Sequence, residues 1–304
     1  MASAQNAEVH RINTQLVADF FGKPDAGPDH FKQVYEAFLA GLEVPADATF
    51  EHVDADGVPS IWCSAPGASR DRAIIHYHSG GYVIGSADGY RQFGARLSAA
   101  TGVRVLLPDY RLAPEHLYPA SVDDGLTAYR WLRKQYAAKG TVVTGDSAGG
   151  AMTMCTLHSL RAAGEEMPAG AVCMSPYADL AATGESVHAN RDKDPLIDPE
   201  LIAAMAAMYV GDTGASLQDP RVSPLYGEFH DLPPMLFLVG DIECLRDDAR
   251  RCFEKAKAAG VEAILHEGAD MVHIWPIFAD RLPEAREALA MIGSFIGDRF
   301  KAAV

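Results

Sequence analysis

The chain has 304 residues, of which 48% are hydrophobic, and a formal net charge of -15 at pH 7. A chain of this length can bury a large core, and α/β folds of this size commonly form one domain with an insertion. The negative charge argues against nucleic acid and anionic membrane surfaces as partners, because both would repel the chain across a Debye length.

The amino terminus and the cysteines bear on the cellular compartment. The first residues lack a basic segment followed by an apolar one, and no apolar run approaches the roughly 18 residues of a membrane span. The five cysteines are an odd number without paired spacings, which fits reduced thiols better than disulfides or a zinc site. These features predict a soluble, cytoplasmic protein with no membrane partner.

Short apolar runs alternate with amphipathic segments from about residue 73 onward, and a hairpin with an Asp-Ala-Asp-Gly turn precedes them. Runs without polar alternation suit strands that are buried on both faces of a mostly parallel sheet. The pattern predicts a doubly wound α/β domain with a sheet of about eight strands flanked by helices. The predicted strands are 49–53, 59–64, 73–77, 103–107, 141–144, 169–174, 235–239 and 262–265, and the predicted helices are 90–100, 121–136, 150–163, 245–259 and 283–300.

Two segments fall outside this alternation. Residues 1–45 contain helix-like stretches at 7–21 and 29–42, and residues 181–226 contain one at 199–209. We interpret them as the two parts of a lid. Their apolar side chains either line a substrate pocket or pack on the domain, and packing is the commoner role at helical spacing. The side chains in question are Phe20, Phe21, Met205, Met208 and Tyr209.

Residues 145–149 read Gly-Asp-Ser-Ala-Gly between a predicted strand and a predicted helix. A serine in such a turn is displayed as a nucleophile, and the glycines allow the strand and helix to meet tightly. Ser147 would also lie at a helix N-terminus, where free N–H groups and the helix dipole favour an oxyanion. A glycine-rich turn with no chemical role fits the pentapeptide too, so other residues must decide.

A serine nucleophile needs a base, a group that orients the base, and donors for the oxyanion. The loop after the first parallel strand reads His-Ser-Gly-Gly-Tyr, and adjacent glycines let backbone N–H groups converge on one point. We predict that the oxyanion donors are the N–H groups of Gly80, Gly81 and Ala148. His78 is predicted to support this loop by hydrogen bonding.

The predicted base is His273, because it lies in the loop beyond the last strand, whereas His266 still belongs to that strand. A metal site at His76 and His78 lacks further ligands nearby in the sequence. The sequence therefore predicts no metal and no other cofactor.

The orienting acid should follow the preceding strand, where several carboxylates compete. Asp247 and Asp248 fall in the first turn of the next helix, where the helix dipole already explains negative charge. Asp241 and Glu243 both lie in the loop between strand and helix. The residues by themselves leave the choice between these two open.

Three spaced motifs resemble the hormone-sensitive-lipase family of α/β-hydrolase carboxylesterases. They are Gly-Asp-Ser-Ala-Gly-Gly at 145–150, His-Ser-Gly-Gly at 78–81, and Asp-Tyr-Arg-Leu-Ala-Pro-Glu-His-Leu-Tyr-Pro-Ala at 109–120. The resemblance covers nearly the whole chain. It implies an α/β-hydrolase fold with a Ser-acid-His triad under a helical cap. The cap would comprise residues 1–45 and 181–226, and the core 46–180 and 227–304.

Two positions depart from the family's pattern. Ser79 replaces the first glycine of the family's His-Gly-Gly-Gly loop, which should be tolerable because the later two positions provide the donors. The family's acid lies in an Asp-Pro-Leu-Arg-Asp string. Aligning Leu-Arg-Asp at 245–247 with it puts Glu243 at the acid position and Cys244 at the proline. The fold uses either acid, so the resemblance implies Glu243, with Asp241 as the alternative acid.

The resemblance implies a serine carboxylesterase that hydrolyses short- to medium-chain acyl esters through an acyl-enzyme, with Ser147, Glu243 and His273 as its triad. A lactone hydrolase or an amidase on the same triad is the alternative. A non-catalytic ligand-binding member of the fold is disfavoured by the presence of His273. The expected partner is a small-molecule ester, and a homodimer through the lid or an edge strand stays open.

Overall fold

A central sheet of eight strands organises the computed structural model, which describes residues 2–23 and 26–302. The strands are β1 (Thr49–Asp54), β2 (Pro59–Ser64), β3 (Ser69–Tyr77), β4 (Val103–Pro108), β5 (Thr141–Asp146), β6 (Gly170–Met174), β7 (Met235–Gly240) and β8 (Ala263–Gly268). Their order across the sheet is β1-β2-β4-β3-β5-β6-β7-β8. β2 runs antiparallel to both of its neighbours, and the other strand pairs are parallel. The predicted α/β fold and the hairpin at its start are confirmed.

The middle of the sheet is covered on both faces. Every residue of β5, β6 and β7 is buried, which explains why these strands read as unbroken apolar runs. The helices that alternate with the strands are α3 (Arg91–Thr101), α4 (Ala120–Arg133), α5 (Ala148–Ala162), α8 (Arg246–Ala258) and α9 (Pro283–Ala302).

Among the described residues, four further α-helices lie outside the strand-helix alternation. They are α1 (Asn6–Phe21), α2 (Pro28–Ala40), α6 (Ser186–Ala189) and α7 (Pro199–Val210). α7 begins as its sequence indicates, because Asp198 accepts a hydrogen bond from the Leu201 N–H at 2.7 Å and Pro199 occupies the first turn. The short α6 has no counterpart among the predicted helices. The division into cap and core at residues 45, 180 and 226 stays a prediction.

Several predicted boundaries were wrong by a few residues. β3 begins at Ser69 instead of residue 73, because its first residues are polar and partly exposed and carry no apolar signal. α4 ends at Arg133 instead of residue 136. α5 begins at Ala148, directly after the predicted nucleophile, instead of residue 150. Within the described part of the chain, every helix is too short or too polar to cross a membrane.

Candidate active site

Ser147 occupies a strained turn between β5 and α5. Its backbone has φ 53° and ψ -119°, a conformation that costs a residue with a side chain on the order of 1–3 kcal/mol. Two hydrogen bonds from outside α5 hold it there: its N–H donates to the Met174 carbonyl, and its own carbonyl accepts from the Tyr177 N–H, both at 2.9 Å. The strand β6 and the residues after it therefore fix the serine in place.

The two glycines that flank Ser147 are required by close packing. A β-carbon at Gly149 would lie 1.9 Å from the Tyr77 carbonyl oxygen, and one at Gly145 would lie 2.1 Å from the Gly149 carbonyl oxygen. Neither contact is sterically possible, so only glycine fits at these positions. This explains the spacing of the pentapeptide and argues against an ordinary glycine-rich turn.

His273 is paired with Glu243. The imidazole Nδ1 lies 2.8 Å from Glu243 Oε2, and both side chains are buried. The other carboxylate oxygen, Oε1, accepts from the Ser175 hydroxyl at 2.7 Å and from the Gly240 N–H at 2.5 Å. These contacts hold the carboxylate in one orientation against the ring.

Asp241, the alternative acid, has a different contact. Its carboxylate accepts the Asp270 N–H at 2.7 Å, in the loop that carries His273. Asp241 thus braces the loop backbone, whereas Glu243 contacts the imidazole.

The charges around His273 favour its protonated form. Burial lowers the pKa of His273, but the hydrogen bond and charge of Glu243 oppose burial, and the charges of Asp194 and Asp146 add to them. The net effect is a raised pKa. Burial also raises the pKa of Glu243, and the contact with His273 opposes that rise. The pair is therefore built to accept and stabilise a proton on the imidazole.

Ser147 and His273 line the same pocket. Among the described residues, no hydrogen bond joins the Ser147 hydroxyl to the imidazole, a contact that often tightens only when substrate binds. The lining includes no Asp, Glu, Lys or Arg among the described residues. It consists largely of apolar side chains, among them Leu16 and Phe20 of α1 and Leu201, Ile202 and Met205 of α7.

Of the five apolar lid residues for which packing was the favoured role, Phe20 and Met205 instead line this pocket. Tyr209 packs, with its ring centroid 4.0 Å from that of Tyr82. Phe21 is 55% exposed, and Met208 is only partly buried against the core. Within α1 and α7, some of these apolar side chains therefore line the pocket and others do not.

Hydrogen bonds hold the carbonyl groups of the loop after β3 and thereby fix the N–H groups that follow them. The Ser79 carbonyl and the Gly80 N–H belong to one planar trans peptide, so they point in opposite directions. The carbonyl is bound by His78 Nδ1 at 2.7 Å, which fixes the opposite direction of the N–H. In the same way, the Gly80 carbonyl accepts from the N–H groups of Val83 and Ile84, both at 3.0 Å, and thereby aims the Gly81 N–H.

The three predicted oxyanion donors have no hydrogen-bond partner among the described residues. Gly80 and Gly81 line the pocket beside Ser147, with φ values of 122° and 61°. Ala148 is the first residue of α5, and the first N–H of a helix has no partner within the helix. Unpaired N–H groups at these three positions are what the predicted oxyanion hole requires.

His78 is buried and makes contacts suited to a supporting role. Its ring stacks on Tyr110 with centroids 4.2 Å apart, and the Tyr110 hydroxyl donates to the His78 carbonyl at 2.7 Å. Burial lowers the pKa of His78, which favours the neutral ring. The Ala113 N–H also donates to the Tyr82 carbonyl at 2.9 Å, so the 109–120 segment braces the whole loop.

His76, one of the two histidines considered as a metal site, has ordinary polar partners. His76 Nδ1 contacts the Thr144 hydroxyl at 3.0 Å, and its Nε2 lies 3.0 Å from an oxygen of Asp146. In the described ranges, no three His, Cys, Asp or Glu side chains gather as metal ligands would.

Three polar residues near Glu243 were missed by the sequence analysis. Ser175, which also accepts the Ile274 N–H at 3.1 Å, follows β6 at the carboxyl end of a parallel strand, and that position is itself a signal of a site. Asn190 donates to the Glu243 carbonyl at 2.9 Å, and Asp194 accepts the Cys244 N–H at 2.9 Å. Both belong to the segment outside the alternation, where no local motif marks them.

A family profile described as the alpha/beta hydrolase fold matches residues 74–277. The chain belongs to the α/β-hydrolase family. This match spans the loop after β3, the Ser147 turn, Glu243 and His273.

Similar proteins place the chain more closely within this family. An acetyl-hydrolase of Streptomyces hygroscopicus is 36% identical over 269 residues, which cover 88% of this chain and 87% of that protein. The crystal structure of an esterase from the bacterial hormone-sensitive lipase family superposes with a TM-score of 0.94 at 41% identity and covers 99% of both chains. A structure of EstE5 soaked with p-nitrophenyl butyrate has a TM-score of 0.92 at 35% identity and covers 99% of this chain and 100% of that one. The predicted family and the predicted enzyme class, a carboxylic ester hydrolase, are confirmed.

Proposed function

We propose that this protein hydrolyses small, neutral carboxylic esters through an acyl-enzyme on Ser147. The observation that carries the proposal is the hydrogen bond between Glu243 Oε2 and Nδ1 of His273, the histidine that lines the same pocket as Ser147. A hydroxyl is inert at its ordinary pKa and needs such an oriented base.

The proposed reaction begins with attack of Ser147 Oγ on the ester carbonyl while His273 Nε2 takes its proton. The tetrahedral oxyanion is bound by the N–H groups of Gly80, Gly81 and Ala148. The imidazolium, stabilised by Glu243, then gives its proton to the leaving alkoxide, and the alcohol departs. Water attacks the acyl-enzyme with the same base, which releases the carboxylic acid and restores the serine.

The proposed substrates follow from the pocket. Its lining lacks charged side chains among the described residues, so an ester carrying a charge would lose its hydration without gaining a partner. The apolar side chains of α1 and α7 that line the pocket beside Ser147 give a short or medium acyl chain an apolar surface to bind. Two of the similar proteins support this range, namely the acetyl-hydrolase and the EstE5 structure soaked with p-nitrophenyl butyrate.

The test is hydrolysis of p-nitrophenyl esters from acetate to dodecanoate by the wild type and by Ser147→Ala. The wild type is expected to prefer short and medium chains. The variant should lose roughly a thousandfold or more in kcat, and the oxyanion donors should leave some residual rate. A variant within tenfold of the wild type would remove Ser147 from the chemistry.

A further inference from the structure

A chain of buried hydroxyl groups joins α2 to the turn that carries Ser147. The Ser79 hydroxyl lies 2.5 Å from the Tyr35 hydroxyl and 2.5 Å from the Tyr90 hydroxyl. Tyr90 donates in turn to Asp146 Oδ2 at 2.6 Å, and Asp146 directly precedes Ser147. All of these side chains are buried.

The hydrogen bonds in this chain run in one direction. Tyr90 donates its proton to Asp146, so its oxygen accepts from Ser79, and the Ser79 oxygen accepts from Tyr35. Each hydroxyl thus gives its one proton to the next group and accepts from the one before. Bonds in such a chain polarise one another when they end on a carboxylate.

Ser79 is the junction of this chain with the loop that carries the oxyanion donors. The Tyr35 and Tyr90 hydroxyls are 3.4 Å apart, whereas each lies 2.5 Å from the Ser79 hydroxyl. The serine hydroxyl therefore bridges the two tyrosines. Its hydroxyl is held by these two tyrosines, and its carbonyl is held by His78. Because that carbonyl shares a peptide with the Gly80 N–H, the position of Ser79 sets the position of this donor.

Tyr35 connects the same loop to a helix outside the sheet. It lies on α2, and both Tyr35 and Ser79 line the pocket. The hormone-sensitive-lipase motif has glycine at position 79, and a glycine would keep the carbonyl contact but lose both hydroxyl contacts. The serine therefore adds a contact between α2 and the oxyanion loop that the motif itself does not supply.

We propose that Ser79 and Tyr35 are positioning residues that hold the Gly80 N–H in place for the oxyanion. Tyr35 acts through Ser79, and the seating of α2 thereby contributes to the turnover rate. This inference rests on the function proposed above. We expect the two hydroxyl groups to stabilise the transition state and to have little effect on substrate binding.

The test compares Tyr35→Phe and Ser79→Ala with the wild type on p-nitrophenyl butyrate. Each variant loses one hydroxyl without changing the backbone, and we expect kcat to fall about three- to tenfold with KM changed less than about twofold. Tyr129→Phe is the matched control, because Tyr129 is also buried and its hydroxyl contacts Thr141 at 3.2 Å, within the core. The control should lower the unfolding temperature without changing kcat.

The double variant separates positioning from general loosening. If Tyr35 acts through Ser79, Tyr35→Phe should have little further effect on kcat in the Ser79→Ala background. Single variants with wild-type kcat, or effects that simply multiply, would overturn the proposal. If Ser79→Ala fails to fold, unchanged kcat in Tyr35→Phe is sufficient to overturn it.

Failure of the proposed function has a separate signature. If the Ser147→Ala variant hydrolyses esters as fast as the wild type, both the proposed function and this inference are refuted. Loss of hydrolysis in Ser147→Ala with full rates in Tyr35→Phe and Ser79→Ala would refute the inference alone.

Discussion

The carboxylate of Glu243 lies 2.8 Å from Nδ1 of His273, and the Ser175 hydroxyl and the Gly240 N–H bind its other oxygen. With Nδ1 turned to the carboxylate, Nε2 is the ring nitrogen that exchanges a proton with Ser147 in the proposed mechanism. A fixed tautomer and a fixed ring are what a general base on serine requires.

Exchange of Glu243 for an amide tests the proposed acid. Glu243→Gln keeps the size of the side chain but removes the charge that stabilises the imidazolium, so kcat should fall roughly 10³- to 10⁴-fold. Asp241→Asn is the control, because its amide oxygen can still accept the Asp270 N–H. We expect the control to stay within about threefold of the wild type. The opposite ranking in steady-state kinetics would transfer the role to Asp241.

The pH profile tests His273 as the base. Proton transfer from Ser147 needs the neutral imidazole, so kcat/KM should fall as the pH drops through the pKa of His273. That pKa is raised, mainly by Glu243 against the opposing effect of burial, so the midpoint should lie above the ordinary value of 6.5. A profile that is flat across this range would contradict a histidine base.

Asp194 offers a way to shift that midpoint without touching the triad. Its charge raises the pKa of His273, so Asp194→Asn should lower the pKa and move the acid limb of kcat/KM to lower pH. Its carboxylate accepts three backbone N–H groups, and the amide oxygen can retain only part of these contacts, so the unfolding temperature must be followed as well. Asp298→Asn, an exposed site on α9, is the control and should leave the limb in place. A midpoint that rises in Asp194→Asn would show that the sign is wrong.

Truncation of the pocket wall should change the preferred acyl length. Leu201 lines the pocket from α7 and is only partly buried, so Leu201→Ala enlarges the space at a modest cost in stability. We expect the ratio of kcat/KM for octanoate over butyrate to rise roughly tenfold, since each buried methylene contributes about 0.8 kcal/mol. Leu217→Ala, at a leucine that is 36% exposed, should leave the ratio unchanged. An unchanged ratio in Leu201→Ala would exclude this wall from the acyl site.

Most of the strands could be predicted from the sequence, because a strand that is buried on both faces appears as a short apolar run between turns. The sequence also singled out Ser147, since the two glycines around it are imposed by contacts within a few residues and with β3. The choice between Asp241 and Glu243 needed the family motif, because both lie in one loop whose path depends on tertiary packing. The contacts of Tyr35 with Ser79 and of Tyr90 with Asp146 span 44 and 56 residues. The hydrophobic periodicity of a sequence does not reveal contacts between residues that are so far apart along the chain.

Reaction with a fluorophosphonate, followed by mass spectrometry of the peptides, shows whether Ser147 is an activated nucleophile. Only an activated serine reacts rapidly with this reagent, and the phosphonyl oxygen occupies the place of the oxyanion. We expect one label per protein molecule, on Ser147, with none in Ser147→Ala and much slower labelling in Glu243→Gln. No label on Ser147 in an enzyme that still hydrolyses esters, or a label on another residue, would contradict this role of the serine.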